Sequence, residues 1–251
     1  MKYYQVQRLI LADQNFPHVV SGSFLLFQSL RYLELSYSNV ATIDEFAFDE
    51  NSKLNNIILR GNGLVSLPAL FQSPVNSLQS ITLRHNKLES LDARNLINLV
   101  VLDLDDNLMT ETGITQTLAH LPNLYEISLD SNRIATIDKN MFSKQEKIEV
   151  ISLWNNKIVY IQPGSFDHLV NIQSIDLKSN MMTEYRTESW HFCHSLTRET
   201  LEVKLEDNKK VTQDLKIDAH TESFCSNNNN GNLVFQHHAQ MKTVIFHFLE
   251  I

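Results

Sequence analysis

Along this chain an eleven-residue phrase recurs, with apolar side chains at its first, fourth, sixth and eleventh positions and asparagine favoured at the ninth. Residues 124–134 (LYEISLDSNRI) state it plainly, and residues 148–158 (IEVISLWNNKI) and 172–182 (IQSIDLKSNMM) repeat it. Written LxxLxLxxNxL, the phrase starts at Val6, Leu30, Leu54, Leu78, Leu99, Leu124, Ile148 and Ile172, at intervals of 24, 24, 24, 21, 25, 24 and 24 residues. So constant a period marks a repeat architecture. The LxL alternation, as in Leu33/Leu35 or Ile57/Leu59, has period two and predicts a short strand with one buried face. One such strand cannot cover its own apolar face, whereas stacked neighbours form a parallel sheet over a continuous core.

Two further columns complete the unit. Asn62, Asn86, Asn107, Asn132, Asn156 and Asn180 occupy the ninth position. A carboxamide both donates and accepts, so a buried stack of them satisfies backbone groups where the chain leaves each strand. Gln14 and Ser38 take that place in the first two repeats, predicting a looser ladder there. The return half carries Phe24, Phe48, Leu96, Phe142, Phe166 and Trp190 at matching places, which we read as core filling behind the strands. Phe71 lies one residue off this column, so the third repeat should bend differently. In the fifth repeat Ile114, Leu118 and Leu121 fall at helical spacing ahead of Pro122, predicting a short helix capped by Thr112 or Thr115.

These units resemble leucine-rich repeats, and the period with Phe in the return half is similar to the class common in extracellular receptors and secreted proteins. The resemblance covers residues 6–195 and implies an α/β-type repeat solenoid. About eight parallel strands would line the concave side of a curved horseshoe, with a mostly irregular convex side and one helix in the fifth repeat. In repeat style the chain also looks like the leucine-rich immune proteins of invertebrates, although the coiled coil and additional C-terminal cysteines of those proteins are not visible here. We therefore divide the chain into a solenoid at 1–195 and a C-terminal cap and tail at 196–251, with an Asn-rich loop at 226–232.

The first repeat starts behind only MKYYQ, with neither an apolar signal segment nor a cysteine-rich flank, so an incomplete N-terminus is expected. Cys193 and Cys225, the two cysteines, straddle the cap, where members of the family often hold disulfides. A bridge between them would stabilise the fold by about 3–4 kcal/mol. The competing reading is a pair of reduced thiols in an intracellular protein. The absence of any Asn-x-Ser/Thr sequon favours the intracellular reading slightly.

Charge narrows the partners. Lys and Arg number 21 against 29 Asp and Glu, a net charge of -8, which gives no electrostatic reason to expect nucleic acid or an anionic membrane. No stretch reaches the roughly 18 apolar residues of a membrane helix, so membrane insertion is not expected. His191, Cys193 and His194 lie close in sequence, as do His237 and His238, but their spacing is not that of a structural zinc site. No phosphate-binding glycine loop, HExxH or GxSxG occurs. We expect no metal, no cofactor and no enzyme activity.

The working surface follows from strand geometry. The x positions around the LxL leucines point away from the core, and down the stack they read Tyr32, Glu34, Tyr37, Arg60, Arg84, His85, Asp103, Asp105, Asp106, Glu126, Asp130, Trp154, Asp176 and Lys178. Exposed Trp and Tyr on a rigid sheet have the composition of an interface hot spot. The change from basic to acidic between Arg84 and Asp103 would orient a partner of complementary charge. The expected function is recognition of a protein partner through the concave face, in an extracellular setting such as innate immunity. The alternative is a cytoplasmic scaffold or enzyme-regulatory subunit.

Overall fold

The computed structural model describes residues 3–183, 200–205, 207 and 208, together with the backbone of short strands at 215–218, 225–227 and 233–235. Its body is one sheet in which strands follow one another in chain order. Arg8–Ile10, Tyr32–Glu34, Asn56–Ile58, Ser80–Thr82, Val101–Asp103, Glu126–Ser128, Val150–Ser152 and Ser174–Asp176 are the eight strands expected, each parallel to the last and offset by one repeat. Burial alternates through them as the LxL pattern requires. Leu33, Ile57, Ile81, Leu102, Ile127, Ile151 and Ile175 are fully buried, each contributing about 1.5–3 kcal/mol.

A ninth parallel strand, Thr200–Lys204, continues this sheet, pairing Ile175 with Val203. Leu215–Asp218 then adds an antiparallel strand. The interval from Ile172 to Thr200 is 28 residues, and Thr replaces the leading Leu, which hid this repeat from the period. Val203, Leu205 and Asn208 nevertheless fill the fourth, sixth and ninth places of the unit, and all three are buried. Thr200–Lys204 was assigned above to the cap, and the expected boundary at 195 lies outside the described residues. Cys225–Asn227 pairs antiparallel with Leu233–Phe235, so Ser226 and Asn227 of the Asn-rich run belong to a strand.

The carboxamide ladder holds the repeats together. Asn132 shows its geometry. Its Nδ2 donates to Leu129 O of its own repeat and to Leu104 O of the preceding one, both at 3.0 Å, while its Oδ1 accepts from Met109 N at 2.9 Å. Asn86, Asn107, Asn156 and Asn180 make the same three bonds, and Asn208 extends the series with Leu205 O, Leu177 O and Met182 N. At the start of the stack Ser38 is fully buried and its hydroxyl donates to Leu11 O at 2.6 Å, so only the Gln14 side chain, bonded to Ala12 O of its own repeat, behaves as a loose end.

The ladder sets a local conformation. The residue before each ladder position is left-handed: Asp13, Tyr37, Gly61, His85, Asp106, Ser131, Asn155, Ser179 and Asp207 have φ between 50° and 68°. Such a conformation costs an L-residue roughly 1–2 kcal/mol, and the buried hydrogen bonds it permits offset that cost.

On the convex side Phe24 stacks on Phe48 at 5.8 Å and Phe142 on Phe166 at 6.2 Å, between ring centroids. Phe71 joins the first stack despite its offset, tilted by 43° to Phe48. A second set of carboxamides, which the sequence pattern did not single out, ties the return turns together. Asn51 donates to Phe24 O and Phe27 O, Asn95 to Phe71 O and Gln72 O, and Gln145 to Leu118 O and Leu121 O.

The expected helix is Glu111–Leu118, but its cap is Thr110, whose hydroxyl accepts from Gly113 N, rather than Thr112 or Thr115. Thr115 lies inside the helix and its hydroxyl donates to Glu111 O at 2.9 Å. Gly113 faces the short fourth repeat so closely that a Cβ there would collide with the Glu89 carbonyl oxygen.

Two substitutions test this account. Asn132→Ala leaves Met109 N–H without its acceptor and removes one of the two amide donors to each of Leu129 O and Leu104 O, which keep Asn156 and Asn107; it should lower the free energy of unfolding in urea by about 2 kcal/mol. A loss below about 1 kcal/mol would show that water substitutes for the amide. Gly113→Ala should destabilise by at least about 1 kcal/mol through forced displacement of the helix, although Ala has the higher helix propensity; a rise in melting temperature would contradict the packing described.

Candidate functional site

The concave face is built from residues flanking the buried strand leucines, and every residue singled out for it lies in or beside one of these strands. They are not equivalent. Tyr37 and Trp154 are the large aromatics most open to solvent there, 50% and 42% exposed. Glu126 is also exposed, whereas Tyr32, Glu34, Arg60, Arg84, His85, Asp103, Asp130 and Lys178 are half-buried and Asp105 is buried.

In the first half of the stack, cations lie against rings. The Arg8 guanidinium sits 4.0 Å from the centroid of Tyr32, and that of Arg60 lies 5.6 Å from Tyr37. Such contacts contribute about 0.5–1 kcal/mol at exposed sites. Tyr32 Oη donates to Glu34 Oε2 at 2.9 Å, and Ser36 Oγ to Glu34 Oε1 at 3.2 Å. Burial, and then the Glu34 carboxylate, push the Tyr32 hydroxyl above its ordinary titration range. Tyr37 lies flat across the next repeat because Gly61 has no side chain; a Cβ there would overlap the ring. Arg8 was not among the expected site residues, although it holds the same place in the first repeat as Tyr32 in the second.

The second half is acidic, but its aspartates are occupied within the protein. Asp105 Oδ1 accepts from Ser128 Oγ at 2.6 Å and Asp130 N at 2.8 Å, and one repeat on Asp130 Oδ1 accepts from Ser152 Oγ at 2.6 Å and Trp154 N at 2.8 Å. Asp103 and Asp176 take the Asp105 and Lys178 N–H groups of their own repeats. Arg84 pairs with Asp105 at 3.4 Å and Asp106 at 3.5 Å, and His85 Nδ1 lies 3.1 Å from Asp106. The basic and acidic blocks that looked like two separate docking poles thus partly neutralise each other. The serines at 128 and 152, which make this arrangement possible, carry no charge and drew no notice in the sequence.

Burial is also the main influence on the two carboxyls of this face whose titration is raised. Asp103 is raised by desolvation and then by the Asp105 charge, against its hydrogen bond from Asp105 N. Asp130 is pushed up from 3.8 to about 6, mostly by burial and secondarily by the Asp105 and Asp176 charges, against the hydrogen bonds from Ser152 and Trp154. Neither carboxyl belongs to a cluster suited to a metal, and the described residues hold no group of three or more His, Cys, Asp or Glu able to bind one. Cys193, His191, His194, His237 and His238 lie outside the described residues, as does the side chain of Cys225. No helix among the described residues is long and apolar enough to cross a membrane.

The family model for the leucine rich repeat matches residues 122–182, and that for the BspA type leucine rich repeat region matches residues 4–110. The chain is a leucine-rich repeat protein, built on a fold used for protein interaction. Chaoptin of Drosophila melanogaster is 28% identical over 63% of this chain and 14% of its own length. The human leucine-rich repeats and immunoglobulin-like domains protein 1 is 30% identical over 60% of this chain and 14% of its own, and human oligodendrocyte-myelin glycoprotein 26% identical over 76% and 41%. The chain therefore spans from about a seventh to two fifths of these relatives. Among solved structures, Toll in its complex with Spatzle superposes with a TM-score of 0.62 at 20% identity, over 83% of this chain and 32% of the other. The TLR13–ssRNA13 complex gives 0.58 at 21% identity, over 78% and 31%.

The raised Asp130 carboxyl yields a pH test. It holds its proton more tightly in the folded chain than in the unfolded one. Its contribution to stability is fully present below the ordinary carboxylate range and is lost as pH rises through about 6. Asp130→Asn retains a carbonyl oxygen for Ser152 Oγ and Trp154 N but never ionises. Discounted for the part that water reaches, the gain over the wild type at about pH 7.5 is about 1–2 kcal/mol, disappearing near about pH 4. Parallel denaturation curves at the two pH values check this; equal differences at both would show that the carboxyl is not desolvated.

Proposed function

We propose that the chain is a non-enzymatic recognition module that binds a protein partner through its concave face, in an extracellular setting connected with innate immunity. The observation that carries this reading is the pair of exposed aromatics, Tyr37 and Trp154, on a sheet whose every repeat is cross-tied by buried hydrogen bonds. A rigid surface loses little conformational entropy on binding, and large aromatics supply much contact area for few rotatable bonds. The Trp154 backbone is itself fixed by the Asp130 carboxylate at 2.8 Å, so the indole stands on a defined base. The likeness to Toll, solved with Spatzle and described as a hub of development and innate immunity, supports a protein ligand and an immune setting. Relatives named as a myelin glycoprotein and a G-protein coupled receptor support an extracellular one.

Affinity capture with the full chain from extracellular fluid of the source, followed by titration of the recovered partner, tests the surface. Trp154→Ala should weaken binding by about thirtyfold, as expected for a central aromatic anchor, while Val65→Ala, an exposed position beyond the strand in the third repeat, should change it by less than about twofold. The reverse ranking would place the interface elsewhere.

Compartment is tested by thiol chemistry. An intact denatured chain from its native source should show no reactive thiol and the mass of a Cys193–Cys225 bridge. Two free thiols would favour the intracellular scaffold.

A further inference from the structure

On the concave face, the backbone N–H of the seventh residue of each unit points into a place that the second half of the solenoid fills with carboxylate oxygen. Asp105 N donates to Asp103 at 3.1 Å, Asp130 N to Asp105 at 2.8 Å, Trp154 N to Asp130 at 2.8 Å and Lys178 N to Asp176 at 3.0 Å. The equivalent N–H groups of Arg60 and Arg84 have no acceptor among the described residues. The side chains that would supply one are Ile58 and Ser36 for Arg60, and Thr82 and Arg60 for Arg84. At the second of these places the repeat register puts an arginine where repeats six and seven have aspartate.

That guanidinium is itself uncommitted. Arg60 Nε is buried without a hydrogen-bond partner, and no carboxylate of the described residues lies within ion-pair distance of Arg60. Nearby acids are engaged: Glu34 by Tyr32 and Ser36, Asp105 and Asp106 by Arg84, and Asp103, whose carboxyl feels the Arg60 charge, by Asp105 N. The Tyr37 ring, lying over Gly61, forms an apolar wall beside the cation.

We infer that the concave face of the third and fourth repeats receives a carboxylate side chain from an acidic segment of a partner protein, seated between the Arg60 guanidinium and the Arg84 backbone N–H. This rests on the concave-face reading proposed above and names the chemistry of its partner. The protein's own aspartates show that a carboxylate has the size and acceptor geometry for such a place. A planar guanidinium beside a backbone donor suits its two oxygens. A nucleic-acid strand fits less well. An extended polyanion following the sheet would leave Arg60 and Arg84 for Asp103, Asp105, Asp130 and Asp176, on a chain whose net charge is -8.

The test uses the full chain labelled with ¹⁵N at arginine, reading each Nε–Hε signal during titration with end-capped hexaglutamate, hexaglutamine or hexauridylate. Hexaglutamate should shift the Arg60 signal saturably, hexaglutamine should not, and Arg60→Gln should weaken hexaglutamate binding by about tenfold. Arg60→Lys, which keeps the charge without the planar fork, should bind at an intermediate level, and its melting curve controls for folding. A silent Arg60, or equal shifts at Arg31, Arg94 and Arg133, would overturn the proposal, as would hexauridylate binding more tightly than hexaglutamate. If Arg60 stays silent while Trp154→Ala still releases the captured partner, the acidic-segment assignment fails and the concave interface stands.

Discussion

A buried carboxamide between successive repeats is the interaction on which the rest of this structure depends. Every unit turns its chain out of the strand in a buried place, which leaves a carbonyl with two lone pairs and an N–H to be satisfied at each corner. One asparagine meets all three demands because it alone among short side chains offers two donors and an acceptor in one plane. Since its bonds reach the preceding repeat as well as its own, the same group that completes the corner also sets the stacking register. The left-handed residue before it follows from this requirement. That is why a bulky Tyr37 is held in a conformation usually left to glycine, with its ring turned onto the neighbouring repeat.

The concave face divides at the fourth and fifth repeats according to what its fifth and seventh residues can accept. From Asp103 onward, aspartates bind the outward N–H groups and serines complete their coordination, so much of that surface's polarity is directed inward. In the third and fourth repeats Ile58, Arg60, Thr82 and Arg84 occupy the same places, and the N–H groups of Arg60 and Arg84 have no acceptor among the described residues. A face that is acidic by residue count therefore presents unmet demand for negative charge at its other end. The net charge of the chain describes the first fact and conceals the second.

How much of this could be read from the residues depends on the range of the physics involved. Strand positions, the core leucines and the Asn column follow from local periodicity and were legible. The ninth repeat was not, because a 28-residue interval and Thr200 in place of leucine broke the count even though Val203, Leu205 and Asn208 keep their places. The cap of the helix was misplaced by two residues or more because Thr110, Thr112 and Thr115 are chemically alike, and only the path of the backbone selects among them. For the site, which face a residue occupies is set by alternation, but whether its charge is free is set by the side chain one repeat away. Asp105 and Asp130 read as docking groups until Ser128 and Ser152 are seen to hold them.

The irregular helix sits behind the place where the face changes character, and the two are mechanically linked. The fourth repeat is 21 residues long and the fifth 25, so the shortened convex arc of one leaves room for the helix of the other. Gly113 lets that helix approach the Glu89 carbonyl, and Thr117 exchanges hydrogen bonds with Leu91, tying it back to the fourth repeat. At its other end the Glu111 carboxylate accepts from Ala135 N at 2.6 Å and Thr136 N at 2.8 Å, reaching forward to the sixth. Three repeats are thereby clamped from the convex side. On the concave side those same repeats carry Arg84, Asp105 and Asp130, whose ion pair and hydrogen bonds tolerate little change in strand spacing. Without this bracket the solenoid would be free to flex at its most irregular point, and the ion pair from Arg84 to Asp105 would have no fixed separation. With it, the boundary between the open and the self-satisfied halves of the face is held rigid.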